Sequence, residues 1–298
     1  MILTNKLNLP QPFVDAATND HEYTEGRYSV TELLGGTCEA ILKRRHSDEL
    51  TDDVADRVWA IFGSAVHEIL QNADESESQL KENWIECQLD GSLSGYSLSG
   101  IFDLYDDSTG IVTDYKTAGT IKWQKQEFED YRMQTLLYCW LLQQIGFAAW
   151  NGEIVMILRD WSKGKAKFDK DYPQKQVQRV SFHFSDKDME EAEEFVYMWF
   201  IMVKHEEAVP DDCLEPCTPE QRWHKPDKWA VKKKGRKTAV RVYESEKDAR
   251  VRAMEENKKA DSNDLYYVEF REGEDTRCQS YCSVAQFCPY GRKFFQES

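Results

Sequence analysis

Residues 99 to 119 read "SGIFDLYDDSTGIVTDYKTAG". Short runs of β-branched and aromatic residues flank the turn-forming "DDSTG", which is the pattern of two antiparallel strands with a tight connection. If residues 107 to 110 make the turn, Asp106 faces Ile111 and Tyr105 faces Val112, and the same register sets Asp103 opposite Asp114 with Cβ atoms roughly 5 Å apart. Like charges so placed destabilise a ladder unless something cationic lies between them. Alternate residues of a strand share a face, so Lys116 points to the side of Asp114. Two carboxylates and an ammonium then converge, and hard oxygen ligands of this kind suit Mg²⁺ or Mn²⁺. An isolated Asp-x-Lys triplet is more often a solvated cluster at an acidic turn, so the surrounding sequence has to decide.

Outward from this hairpin the chain alternates helical and strand periodicities. Residues 52 to 72 carry apolar side chains at 54, 58, 61, 62, 65, 66, 69 and 70, the spacing of a buried helix face, with Asp52 and Asp53 suited to the helix N-terminus. Residues 84 to 116 read as short, Gly-punctuated antiparallel strands, residues 123 to 145 as a second helix, "GEIVMILRDW" and "VQRVSFHF" as strands, and "DKDMEEAEEFVYMWFIMVKHEE" as a third helix. This order predicts an α/β fold, a mixed central sheet flanked by helices. After residue 210 a hairpin with its turn at Gly235, a polar helix and a further strand suggest a small αβ module. The expected divisions are a core at 1–210, an inserted basic module at 211–277 and a cysteine-bearing segment at 278–298.

Composition sets limits on partners. The 298 residues are 41% hydrophobic and 31% charged, enough for one large domain or a core with a smaller companion. No apolar run approaches the roughly 20 residues that span a bilayer, and the N-terminal stretch lacks the zones of a signal peptide, so a cytoplasmic location without membrane contact is expected. A net charge of −16 argues against binding a polyanion through the whole surface. Any such site is local. Eight cysteines in a reducing compartment point to metal where clustered and to packing where isolated.

With two motifs of the opening stretch, four fall in order along the chain: "GSAVH" ending at His67, "GIFD" ending at Asp103, "DYK" at 114 to 116, and "QTLLY" from Gln134 to Tyr138. Together they resemble the RecB-like nucleases of the PD-(D/E)XK superfamily, whose relatives include AddB-type and CRISPR-associated exonucleases. The resemblance spans roughly residues 30 to 150 and extends to a C-terminal cysteine cluster. It implies a restriction-endonuclease-like core in which His67, Asp103, Asp114 and the backbone carbonyl of Tyr115 hold Mg²⁺ or Mn²⁺. It makes Lys116 the catalytic lysine, and sets Gln134 and Tyr138, four apart on one helix face, to order the site and hold DNA. In that setting Lys116 orients water or offsets charge on a phosphorane-like transition state. "HEIL" lacks the second histidine of a zincin, which excludes that class of metalloprotease.

In "RCQSYCSVAQFCPYG", Cys278, Cys282 and Cys288 stand within eleven residues and read as metal ligands. The resemblance implies a [4Fe-4S] cluster, with zinc as the alternative. Its fourth ligand is either Cys38 or Cys217. Cys213 is a weaker candidate, and Cys87 and Cys139 read as packing residues. The hairpin tip gathers Lys232, Lys233, Lys234, Arg236 and Lys237 beside Trp229 and Tyr243, a composition that suits nucleic-acid contact as well as a solvated loop. The chain has no G-x-x-x-x-G-K-[ST] loop, so any DNA-unwinding motor is a separate helicase or recombination partner. The expected function is a metal-dependent exonuclease preferring single-stranded DNA, in phage or bacterial DNA recombination, repair or degradation. A noncatalytic single-strand-binding protein and an iron-sulfur redox sensor are the alternatives.

Overall fold

The structure, a computed structural model, describes residues 1–18, 22–74 and 76–295. Two compact units divide the chain, Met1–Glu215 and Pro216–Ser298. The first opens with β1 (Ile2–Thr4), α1 (Gln11–Ala17), β2 (Arg27–Ser29), α2 (Val30–Leu33), α3 (Thr37–Arg45) and β3 (Thr51–Asp53). It continues with α4 (Val58–Gln71), β4 (Gln79–Gln88), β5 (Ser97–Asp106), β6 (Ile111–Ala118), α5 (Thr120–Lys125) and α6 (Glu129–Gln144). β7 (Asn151–Leu158), α7 (Lys163–Phe168), β8 (Val177–His183) and α8 (Asp186–Glu206) complete it. No helix among the described residues is long and apolar enough to cross a membrane.

The central sheet is mixed, ordered β2-β5-β6-β7-β8, with β4 also paired to β5. β5 and β6 are antiparallel in the register expected from the turn, Leu104↔Thr113, Tyr105↔Val112 and Asp106↔Ile111. β6 and β7 run parallel, joined through α6. Eight successive residues of α6, Thr135 to Leu142, are buried, so this helix is enclosed on all sides rather than amphipathic. α8 instead buries the stripe Met189, Ala192, Val196, Trp199, Phe200 and Val203, and a Ser185–Asp188 capping box satisfies its first turn. Each fully buried leucine or phenylalanine in this core contributes roughly 1.5–3 kcal/mol relative to exposure. Glu207, just after α8, accepts hydrogen bonds from Tyr28 and Tyr96, both at 2.5 Å, and so ties β2 and the start of β5 to the helix layer.

Two helices depart from expectation. The single helix expected over 123–145 is two, because Gln126 adopts a left-handed conformation (φ 55°) and closes α5 with its N–H on the Trp123 carbonyl. The helix expected over 52–72 begins as a 3₁₀ turn at Val54–Arg57, and α4 follows. Its apolar face is not buried as expected. Gly63, Val66, His67 and Leu70 form a half-buried stripe, whereas Trp59 is 57% and Ile69 71% exposed.

In the second unit β10 (Lys228–Lys233) lies between β11 (Arg241–Tyr243) and β12 (Tyr266–Arg271), with α9 (Glu246–Lys259) packed on them; β9 (His224–Lys225) pairs β13 (Glu274–Asp275), and α10 (Thr276–Ser280) follows. Val231, Ala249 and Ala253 form its small core.

The close approach of α6 to β7 depends on Gly152. A Cβ there would lie 2.8 Å from Thr135 Oγ1 and 2.9 Å from its Cβ. Gly152→Ala should therefore cost about 1–3 kcal/mol of unfolding free energy, read as a lowered denaturant midpoint at unchanged slope. A midpoint equal to the parent's would mean that α6 can withdraw freely from the sheet.

Candidate active site

The sheet is interrupted where the acids lie. β5 pairs β2 over Ser97–Ser99 and β6 over Leu104–Asp106, so Gly100 to Asp103 fall between the two ladders. There the Asp103 carboxylate takes the place of a backbone acceptor: the Tyr115 amide donates to its Oδ2 at 2.6 Å. α4 brings His67 to the same point, with Nδ1 3.2 Å from Asp103 Oδ1 and 3.6 Å from Glu82 Oε1. Asp114, 3% exposed, receives a hydrogen bond of 2.8 Å from Lys116 Nζ on Oδ1. Its Oδ2 lies 2.6 Å from the same ammonium but has no aligned hydrogen bond, leaving a buried acceptor unsatisfied. On α6, the Gln134 amide donates weakly to the Tyr138 hydroxyl at 3.4 Å.

The charges are mutually unfavourable. Burial pushes the Asp114 carboxyl up to about 6; Lys116 counters this and Asp103 reinforces it. Burial and then the Asp103 charge raise Glu82, with His67 opposing. The hydrogen bond to Asp103 holds the His67 imidazole above its usual range, against the cost of burial. A site crowded with acids that resist ionising is one that a dication would relieve. His67, Glu82 and Asp103 each offer a ligand atom within 4.8 Å of the others; Asp114, outside that set, keeps one buried oxygen without a hydrogen bond. One imidazole nitrogen with carboxylate oxygens suits Mg²⁺ or Mn²⁺.

Glu82 was not among the residues expected here. The "KEN" stretch at 81–83 reads as a solvated strand end, and nothing in its residue types signals that Glu82 takes a left-handed backbone (φ 49°) inside β4. That conformation costs a non-glycine residue on the order of 1–3 kcal/mol. It falls where Glu82 would oppose Asp103, between the pairs Lys81↔Leu104 and Asn83↔Phe102.

The remaining expected residues lie in other surroundings. Tyr115 sits between Asp114 and Lys116 with its amide committed to Asp103. In the second unit, burial and then the neighbouring Cys282 push the Cys278 thiol up to about 11, with Asp275 and Cys288 adding to the effect. The loop carrying them is fixed by buried Asp275, which His224 contacts at 3.0 Å and to which the Tyr290 hydroxyl donates at 2.5 Å. Cys217 belongs to this unit and Cys38 to the first. Cys139 is buried in the main core and Cys87 packs against it. At the basic hairpin, Lys232 pairs with Glu269 at 2.9 Å, Lys234 pairs with Asp264, and Lys233 lies 5.6 Å from the Tyr266 ring. Arg236 and Lys237 are exposed.

Residues 75–289 match the PD-(D/E)XK nuclease superfamily, and the chain belongs to it. The mixed sheet flanked by helices is the restriction-endonuclease-like fold of that superfamily. Solved structures similar to the chain include SSO0001, at 17% identity and a TM-score of 0.43, covering 60% of this chain and 79% of that one. A phage-related exonuclease from Haemophilus somnus 129PT has 15% identity and a TM-score of 0.28, covering 58% and 96%. A putative exonuclease from Eubacterium rectale has 15% identity and a TM-score of 0.29, covering 67% and 74%. No curated protein matches the chain.

Asp114 gives a signed pH dependence. With its carboxyl raised from 3.8 to about 6, the folded metal-free chain keeps a proton through that interval which the unfolded chain has released. This group's contribution to stability therefore falls as pH rises through the window and is constant above it. Asp114→Asn should melt higher than the parent above pH 6 in chelator, with the gap closing near pH 4. Parallel melting profiles for the two proteins would contradict the assigned burial.

Proposed function

We propose that the chain is a Mg²⁺- or Mn²⁺-dependent deoxyribonuclease of the RecB-like group, acting as an exonuclease on single-stranded ends in phage or bacterial DNA metabolism. The observation that carries the reading is the electrostatically unbalanced set of half-buried His67 and Glu82 with buried Asp103 and Asp114 beside Lys116. Family membership supplies the nuclease class. The DNA substrate, the single-strand preference and the exonucleolytic mode follow the motif resemblance.

When bound, the dication would lower the pKa of water and neutralise charge on the phosphate. The chain's own residues do the rest. His67 would present a nitrogen, and Glu82, Asp103 and Asp114 oxygens; on Glu82 and Asp114 the ion would take the place of protons that burial favours. Lys116, already directed at Asp114, positions the attacking water and meets negative charge building on the phosphoryl oxygens. Gln134 and Tyr138 hold the strand at the edge of the site. Because these ligands must shed protons to bind metal, apparent metal affinity falls as pH drops.

Cys278, Cys282 and Cys288, with either Cys38 or Cys217, are proposed to hold a [4Fe-4S] cluster that fastens the C-terminal segment. Cysteine-only ligation and the placing of three cysteines within eleven residues support that role.

Asp114→Ala and Lys116→Ala should each slow cleavage of a single-stranded oligonucleotide by on the order of 10²-fold or more. In a direct Mn²⁺ titration Lys116→Ala should bind normally, while Glu82→Gln should bind on the order of tenfold more weakly. Wild-type cleavage rates in both alanine variants would overturn the site assignment. Anaerobic purification should yield a brown protein with iron and acid-labile sulfide, lost in Cys278→Ser. A colourless zinc protein would replace the cluster with a zinc site.

A further inference from the structure

A pocket of about 350 Å³ adjoins the acids and has no part in holding metal. It opens where β5 leaves β2, and Ser99, Gly100 and Ile101 at that divergence line it. Trp84, the β4 partner of Ile101, and Arg27 of β2 also line it. Trp84 stands two residues along β4 from Glu82, and Ile101 two along β5 from Asp103, a separation of about 7 Å. Tyr138 also lines the pocket, and the charges of Asp114, Asp103 and Glu82 all reach its hydroxyl. One side chain thus borders both the pocket and the acids.

The lining has a distinct chemistry. Trp84 is 53% and Ile101 49% exposed, although they are paired neighbours on β4 and β5. A large indole left open on an edge strand is a liability that a monomeric protein ordinarily avoids. The Arg27 guanidinium stands 5.9 Å from the Trp84 ring centroid. Arg27 is fixed from behind: its carbonyl accepts from Arg44 Nη2 at 2.6 Å, and its own Nη2 donates to Thr24 Oγ1 at 2.6 Å. Glu32, on the rim, is engaged by Arg44 at 2.8 Å. At the floor, a Cβ on Gly100 would come within 2.7 Å of Tyr138 Cε1, so the glycine is what lets the phenol ring lie against the strand.

An aromatic face, a guanidinium and a volume at the low end of the roughly 300–1,000 Å³ typical of small-ligand pockets suit a planar, π-rich group attached to a phosphate. Resting on the nuclease reading above, we propose that this pocket takes the unpaired base of a nucleotide adjoining the scissile bond of a DNA strand. Trp84 stacks on the base and Arg27 meets the neighbouring phosphate. A base in a duplex has both faces stacked and its edge paired and must be flipped out at a cost of a few kcal/mol, so a single strand supplies one far more readily. The pocket is therefore the source of single-strand preference, which the metal site alone does not provide.

The test uses the full-length chain carrying Asp114→Asn, so that binding is read without cleavage, and single-stranded oligonucleotides containing 2-aminopurine near one end. Stacking on Trp84 should quench the probe, and Trp84→Ala in the same background should abolish the quenching and weaken binding about 5- to 100-fold. Trp84→Phe should retain most of both, and an abasic oligonucleotide should bind the parent and the Trp84→Ala variant alike. Equal affinity of the parent and Trp84→Ala for the base-containing strand, or an equal loss on the abasic one, would overturn the proposal. Cleavage by the wild type is scored separately. Active protein with no Trp84-dependent quenching removes the pocket and leaves the nuclease, whereas Trp84-dependent quenching without any cleavage supports the pocket and removes the nuclease reading.

Discussion

The burial of Asp114 against Asp103 is the constraint around which the first unit is arranged. A carboxylate at 3% exposure with a second acid close by is tolerable only if cations and hydrogen-bond donors reach it. Each device nearby answers that need. The Tyr115 amide donates to Asp103 where the β5–β6 ladder has ended, Lys116 folds back onto Asp114, and α4 directs His67 at Asp103. Glu82 adds a third acid at the cost of a left-handed backbone. That addition makes little sense for stability and good sense for holding a dication, because strain kept inside a well-paired strand marks a position where function competes with folding.

Much of this arrangement is readable from residue order. The turn at 107–110 fixes the hairpin register as far as Leu104↔Thr113, because local turn chemistry and the two-residue repeat of a strand leave few alternatives; the ladder ends before the expected pairing of Asp103 with Asp114, and Asp103 accepts from the Tyr115 amide instead. The capping box that opens α8 and that helix's buried stripe are equally local. What escaped was non-local or conformational. Gln126 breaks a helix whose periodicity runs through it, since nothing about glutamine signals a left-handed residue. Glu82 is hidden for the same reason. The pocket by Trp84 is set by how far β2 and β6 diverge from β5, a spacing that no single segment encodes. For α4, periodicity located the helix but not its environment: apolar spacing shows that residues share a face and leaves open what covers it.

The second unit gives a more qualified account of charge. In sequence the cations at 232–237 form a dense positive tip. In the fold Glu269 and Asp264 answer Lys232 and Lys234, and the freely solvated positive charge shifts outward to Arg236 and Lys237. Ion pairs of this exposed kind are worth little and are readily exchanged for phosphate. Within a chain of net charge −16, attraction of a polyanion is short-ranged and falls steeply with salt.

The exposed face of α4 bears on how the centre fits different ions. Its acids are mounted on paired strands beneath an enclosed helix, whereas the imidazole rides on an element none of whose residues is buried. Thin burial places α4 toward the low end of local stability. In the proposed centre the oxygen ligands would thus form a fixed seat and the imidazole an adjustable arm, so that small travel of one helix would accommodate cations of unequal radius without disturbing the sheet.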